Sequence, residues 1–88
     1  MAHVLAQLRG VKAEVIKQIL TKDAPQHAQE GLYLEHLWQN ADDVNEVMFL
    51  FRTTDLGHAK QFINKLHTQA LKENPNANLP QMTFLDEK

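Results

Sequence analysis

The sequence LYLEHLWQNADDVNEVMFLFR, residues 32–52, predicts an antiparallel β-hairpin. Its two arms, residues 32–39 and 46–52, are rich in aromatic and branched side chains, which favour strands. Residues 40–45 between them are mostly Asn and Asp, whose side chains bond to nearby backbone groups and favour turns. In the register we expect, Tyr33 lies opposite Arg52 and Trp38 lies opposite Val47.

On the N-terminal side of this hairpin, one further strand and one helix are predicted. Residues 2–9 alternate apolar and polar side chains, which is the period of a strand. From Val11 onward, apolar residues recur every three or four positions, as on one face of a helix. Asp23-Ala24-Pro25 is expected to interrupt this helix and to start a short second one that runs through Ala28. Glu30-Gly31 then ends it.

On the C-terminal side of the hairpin, one helix and one further strand are predicted. Thr54 or Asp55 is expected to cap a helix whose apolar stripe runs from Leu56 to Ala70. A loop at 74–78 leads to a last strand at 81–85. The order βαββαβ predicts an α+β, ferredoxin-like fold, in which a four-stranded antiparallel sheet has both helices on one face. We expect residues 1–88 to form this single domain.

Each strand should therefore have a helix-facing side and an open side. The side expected to face the helices comprises Val4, Ala6, Leu8, Leu32, Leu34, His36, Trp38, Val47, Phe49, Phe51, Met82 and Phe84. The open side would collect His3, Leu5, Gln7, Arg9, Tyr33, Glu35, Leu37, Met48, Leu50, Arg52, Gln81, Thr83 and Leu85. Five of these open-side residues are large and apolar, which is more than a monomer usually exposes. A second copy of the chain is the simplest cover, so a homodimer is predicted.

Composition excludes several classes of function. The chain has no Cys and no Ser, so the usual acyl-enzyme nucleophiles are missing. A net charge of −2 argues against nucleic acid as a partner. No apolar run is long enough to cross a membrane, and no signal peptide is present, so we expect a cytoplasmic location and no membrane partner. The five His residues lack metal-ligand spacing, so we expect neither a metal site nor a cofactor.

Tyr33, Glu35 and Arg52 form the strongest candidate for a catalytic group. A phenol, a carboxylate and a guanidinium on one semi-apolar face could orient a polar substrate or shift one another's proton affinity. The structural alternative is an ion pair that fixes strand register and dimer geometry.

His36 and Trp38 share a side of their strand and form a second candidate. His36 could act as a general base, and Trp38 could stack on a flat ligand. Met48 and Leu50, on the open side, are further candidates for ligand binding. The structural alternative is a hydrogen-bonded histidine and an aromatic side chain in the core.

The chain resembles the dimeric α/β-barrel superfamily, in particular the small antibiotic-biosynthesis-monooxygenase-like domains. The resemblance rests on residues 30–35 (EGLYLE), the acidic hairpin 42–46 (DDVNE), the strand 47–51 and the capped helix after Asp55. It implies two ferredoxin-like subunits packed sheet to sheet. Members of the superfamily include cofactor-independent oxygenases, haem-degrading enzymes, isomerases and decyclases. His36, Trp38 and Asn40 all lie on one strand, which does not reproduce the placement that haem-degrading members use.

Two classes of function therefore remain. The first is a cofactor-independent oxygenase or isomerase that acts on a small aromatic or polyketide-like compound. The second is a non-catalytic dimer for ligand sensing or protein interaction. In a variant of the second, the chain supports another protein through an exposed sheet edge.

Overall fold

The computed structural model describes all residues from 1 to 88 and contains the six predicted elements. They are β1 (Ala2–Arg9), α1 (Ala13–Gln29), β2 (Leu32–Asn40), β3 (Asp43–Thr53), α2 (Leu56–Glu73) and β4 (Gln81–Leu85). The strands form one antiparallel sheet in the order β2-β3-β1-β4. The predicted ferredoxin-like α+β fold is confirmed. Neither helix combines the length and the apolar content that a bilayer crossing needs.

One core joins the sheet to both helices. Val4, Ala6 and Val47 in the two central strands are fully buried. Ile16 and Leu20 of α1 and Ala59 and Ile63 of α2 belong to the same cluster of buried apolar residues. The helices therefore cover one face of the sheet, and the other face, formed by the opposite side of each strand, stays open.

A β-bulge at Glu35 changes the expected register of the hairpin. Tyr33 lies opposite Arg52 as predicted, but the pairing shifts between Leu34 and His36, and Trp38 lies opposite Met48. The prediction that Trp38 pairs with Val47 was wrong. The register shift has a physical cause in the segment Leu34-Glu35-His36-Leu37, where two leucines stand three positions apart. A bulge adds one residue, so both leucines can face the helices and both polar residues can face the open side.

Helix α1 is also longer than predicted, because it continues through Pro25 to Gln29. Proline has no N–H to donate to the carbonyl four residues earlier, that of Thr21. Both residues are exposed, so this carbonyl can bond to water instead. The predicted interruption at Asp23-Ala24-Pro25 was therefore wrong, and no separate short helix exists.

The ends of the elements follow the predicted local chemistry. Asp55 is the N-cap of α2, and its carboxylate accepts a hydrogen bond of 3.0 Å from the His58 amide. Gly31 has a φ of +75° and turns the chain from α1 into β2, a conformation that favours glycine. In the hairpin, the side chain of Asn40 accepts from the Asp42 amide. That of Asp43 accepts from the Asn45 amide.

Candidate functional site

The bulge brings every site residue predicted from the sequence to one face of the sheet. His36 lies opposite Leu50 and Trp38 opposite Met48, which turns both side chains away from the helices and corrects their predicted placement. Leu37 moves the other way and packs against the core, opposite Phe49. The open face thus holds Tyr33, Glu35, His36, Trp38, Met48, Leu50 and Arg52, together with Leu5 and Leu85 from β1 and β4.

Glu35 is the centre of a polar cluster that crosses three strands. Its carboxylate lies 3.0 Å from Nε2 of His3 and 3.7 Å from Nε of Arg52. The Arg52 guanidinium stacks over the ring of Tyr33, 4.8 Å from its centroid. Tyr33, Glu35 and Arg52 are therefore in contact as the sequence indicated, and His3 is an additional member. Both charges are already partnered within one chain, which is the arrangement that an ion pair fixing the strands requires.

His36 and Trp38 form an aromatic pair beside this cluster. Their rings stack with centroids 4.9 Å apart and planes 14° from parallel. Trp38 remains 46% exposed, so the outer face of the pair is available to a partner. The open face thus combines a stacked aromatic pair, an ion-paired cluster and an aliphatic centre.

A second ion-paired cluster on the same face was not found from the sequence. The Glu46 side chain is only 6% exposed, and its carboxylate accepts from Arg9 at 2.5 Å, Asn40 at 2.6 Å and Gln7 at 3.1 Å. The hydrogen bonds from these donors, Arg9 foremost, lower the pKa of Glu46 to about 2. The carboxylate is therefore ionised at neutral pH. Although it is buried, it keeps its hydrogen-bond donors.

The other candidate site is an apolar cleft between α1, α2 and the sheet. Its volume is about 170 Å³, and its walls include Leu20, Phe49, Phe62 and Met82. The polar groups along this cleft are Asp23 and His27 from α1 and His67 from α2. His27 also meets the edge of Phe51, at 5.4 Å between ring centroids. The cleft thus places an imidazole from each helix beside a space large enough for one aromatic ring.

Burial favours the neutral form of both imidazoles. Burial lowers the pKa of His27, an effect that the nearby Asp23 carboxylate partly opposes. Burial also lowers the pKa of His67. Because the ordinary pKa of histidine is about 6.5, both rings hold a free nitrogen lone pair at neutral pH. Each can accept a proton or a hydrogen bond from a molecule in the cleft.

A larger cavity of about 380 Å³ lies on the other side of α1, against the edge strand β2. Ala24 and Ala28 of α1 and Leu34 of β2 line it, and no Lys, Arg, Asp or Glu does. It shares Leu20, His27, Leu32 and Phe51 with the cleft. These four side chains therefore belong to the walls of both cavities.

The sequence contained a signal for His27 and His67 that was not used. His27 follows the buried Leu20 by seven residues, and His67 follows the buried Ile63 by four. These spacings continue the apolar face of each helix. For His27 the expected break at Pro25 hid the pattern. For both, the spacing typical of metal ligands applies within one helix, whereas these two rings come from different helices.

Together these features define a ferredoxin-like α+β protein with an open apolar sheet face and a histidine-lined cleft. Three solved structures share this fold across the whole of the chain. A Deinococcus radiodurans protein assigned provisionally as an antibiotic biosynthesis monooxygenase is 18% identical over 93% of its own length, with a TM-score of 0.65. An uncharacterised NIPSNAP domain protein from Burkholderia xenovorans is 18% identical over 95% of its length, with a TM-score of 0.58.

A further antibiotic biosynthesis monooxygenase is 22% identical over 99% of its length, with a TM-score of 0.57. No protein-family model matches the chain, and neither does any curated protein sequence. At these identities the similarity concerns the fold. The resemblance to monooxygenase-like domains that the sequence indicated is thus confirmed at that level.

Proposed function

We propose that this chain is a homodimeric proton-transfer enzyme, an oxygenase or isomerase, that binds a small aromatic compound in the cleft and needs no cofactor. The observation that carries the proposal is the pair of neutral imidazoles, His27 and His67, on the walls of an apolar cleft. The names of two structures with the same fold agree with the oxygenase class.

The chemistry assigned to the cleft begins with removal of a proton. A neutral imidazole accepts it from a hydroxyl group or an activated C–H bond of the bound compound. The resulting anion is reprotonated at another atom in an isomerisation. In an oxygenation it passes one electron to dissolved dioxygen, and the two radicals combine to a peroxide anion. This anion takes the proton back, and the hydroperoxide loses water to leave a carbonyl group. The second imidazole holds or returns the proton. His27 is assigned as the base, because the Asp23 carboxylate favours its protonated form and partly opposes the effect of burial.

Dimerisation through the open face is the second part of the proposal. Leu5, Met48, Leu50 and Leu85 lie on that face, and Leu85 is 42% exposed. Its two carboxylates, Glu35 and Glu46, are each paired with an arginine of the same chain. When two copies meet, these two carboxylates and two arginines would be buried as pairs and not as single charges. This favours self-association.

The binding step is tested with phenol as the probe, by NMR titration of the histidine ring protons. We expect phenol to shift the His27 and His67 resonances and to leave those of His58, which lies outside the cleft, unchanged. The variant H27Q should bind phenol with similar affinity, because an amide keeps the polar atom. Shifts confined to the open face would contradict the cleft as the binding site.

The catalytic step is tested by oxygen uptake and product analysis with a panel of phenols and naphthols. Turnover by the wild-type protein should fall at least about 100-fold in H27Q, the scale that a general base contributes. The control variant H58Q should keep full activity. Unchanged turnover in H27Q would exclude His27 as the base.

A non-catalytic ligand-sensing dimer is the second candidate, and the contacts of Glu35 favour it for the open face. Its carboxylate already bonds to His3 and lies 3.7 Å from Arg52, and these contacts support a structural role for Glu35. We expect E35Q to lower the free energy of unfolding by about 0.5 kcal/mol, as for other partly exposed ion pairs. Urea denaturation measures that change. Loss of turnover in E35Q with unchanged stability would instead indicate that Glu35 is a catalytic residue.

A further inference from the structure

We infer that the compound bound in the cleft is an arylalkylamine, a primary amine joined to an aromatic ring by a short alkyl chain, and that Asp23 selects it by pairing with its ammonium group. This inference rests on the proposed binding of a small aromatic compound in the cleft. It adds the charge and the chemical class of that compound, and it makes Asp23 the residue that determines specificity.

Asp23 sets the charge of the cleft. Of the 13 residues that line the cleft, Asp23 is the single acidic one, and none is Lys or Arg. An anionic ligand would therefore meet a carboxylate and no cation, whereas a cationic ligand meets an opposite charge. For one and the same ring, the expected order of affinity is ammonium first, hydroxyl second and carboxylate last.

The Asp23 carboxylate is also free of partners within the chain. Glu30, Glu35 and Glu46 each bond to a basic side chain. Asp23 is half-buried, but it belongs to none of the ion pairs and its side chain accepts no hydrogen bond. Its oxygens are therefore available to the N–H donors of a ligand, and no internal ion pair has to break first.

The polar side chains of the cleft favour a ligand that donates hydrogen bonds. They are Asp23, His27 and His67, and each offers an acceptor atom. A primary ammonium group donates through three N–H bonds and accepts none, and a carboxylate is its strongest acceptor of these. Asp23 and His27 lie one helical turn apart on α1. A ligand anchored at Asp23 therefore brings its neighbouring atoms to the imidazole assigned as the base.

Burial along the walls orients such a ligand. Leu20 and Phe49 are buried, whereas Asp23 is half-buried and its neighbours on the cleft wall, Ile19 and Leu66, are exposed. The volume of about 170 Å³ is sufficient for one ring. The ring of an arylalkylamine can thus lie against the buried side chains while its ammonium stays at the partly hydrated rim formed by Ile19, Asp23 and Leu66. The charge is not stripped of all its water, so the cost of binding it is small.

The test compares three ligands that share one ring and differ in charge. At pH 7 benzylamine is a cation, benzyl alcohol is neutral and benzoate is an anion. Dissociation constants are measured by NMR titration, followed at the ring protons of His27 and His67, for the wild-type protein and two variants. D23N removes the charge of Asp23 and keeps its shape. E14Q removes an exposed carboxylate of the same helix outside the cleft and is the matched control.

We expect the wild-type protein and E14Q to bind benzylamine about five-fold more tightly than benzyl alcohol, which is the scale of a partly exposed ion pair, and benzoate about five-fold more weakly. In D23N both ratios should approach one. Circular dichroism verifies that D23N is folded. A second measurement needs no variant: raising the ionic strength from about 0.05 M to about 0.5 M should reduce the advantage of benzylamine in the wild type, because salt screens the pair.

The results that would overturn the inference differ from the failure of the proposed function. If the wild type binds benzyl alcohol as tightly as benzylamine, the cleft does not select an amine. If D23N keeps the advantage of benzylamine, or if E14Q lowers it as much as D23N does, Asp23 is not the selecting group. In each case benzyl alcohol still binds in the cleft. If none of the three ligands shifts the His27 and His67 resonances, the cleft is not a site for small aromatic compounds, and the proposed function fails with it.

Discussion

At the scale of single residues, Glu46 is the group on which burial and charge act most strongly together. Its carboxylate is nearly inaccessible, yet the hydrogen bonds from Arg9, Asn40 and Gln7 lower its pKa to about 2. In the unfolded chain the same carboxyl titrates near its ordinary pKa of about 4.3. Between these two values the unfolded state binds more protons than the folded state, so stability falls as the pH falls.

We therefore expect the variant E46Q to be less stable than the wild type at pH 6, because the ionic hydrogen bond to Arg9 is lost. The difference should shrink as the pH approaches 2, where the wild-type carboxyl becomes protonated. Urea denaturation at pH 6, 4 and 3 measures it. E73Q, which removes an exposed carboxylate, is the matched control. A difference between E46Q and wild type that stays constant from pH 6 to pH 3 would contradict this role.

At the scale of elements, the bulge at Glu35 in β2 and the proline in α1 are departures from regular geometry with opposite effects on stability. The bulge is favourable, because it turns Leu37 to the helix side, where Leu34 already lies, and turns His36 to the open face beside Glu35. Pro25 is a cost, because a proline inside a helix removes one backbone hydrogen bond. Only Pro25 can be replaced without changing which residues face the core.

We expect Pro25→Ala to raise the free energy of unfolding by about 1 kcal/mol, less than the full helix-interior penalty because Pro25 lies near the end of α1. The urea midpoint measures this change. Gln26→Ala, at the neighbouring exposed position, is the control and should have a small effect. A loss of stability in Pro25→Ala would mean that the proline fixes a bend on which the packing of His27 depends.

At the scale of the whole molecule, the sheet has one face covered by helices and one face without cover. The ion pairs of Glu35 and Glu46 leave the uncovered face electrically balanced, and its centre is aliphatic. These properties support the proposed sheet-to-sheet dimer. Since the cleft lies on the helix side, the proposed ligand site and the proposed dimer interface lie on opposite faces of the sheet, and variants of one should leave the other intact.

Light scattering coupled to gel filtration at micromolar concentration tests the dimer. We expect a mass of about 20 kDa for the wild type, twice the 10.1 kDa chain. Leu50→Asp should give the mass of one chain, because it places an unpaired carboxylate at the centre of the face. Leu71→Asp, which changes an exposed leucine of α2, should remain dimeric. A wild-type mass of about 10 kDa would reject the homodimer.

The tertiary structure was needed to bring His27, His67 and Asp23 to one cleft. Each belongs to a helix whose apolar period can be recognised locally, but periodicity does not state which faces of two helices meet. The Glu46 network is similar, since its partners come from β1 and from the end of β2. Such contacts between distant segments arise from the order of the strands in the sheet, which local propensity does not determine.

The amino-acid sequence by itself determined the order of the elements, the bounds of β1 and β4, a helix cap at Thr54 or Asp55 and the contact of Tyr33 with Arg52. These follow from alternation, helical period and turn chemistry, which act over a few neighbouring residues. Only the tertiary structure determined that His36 and Trp38 face the open side. One added residue in β2 inverts the orientation of every side chain beyond it, and the choice depends on which leucines the core can bury.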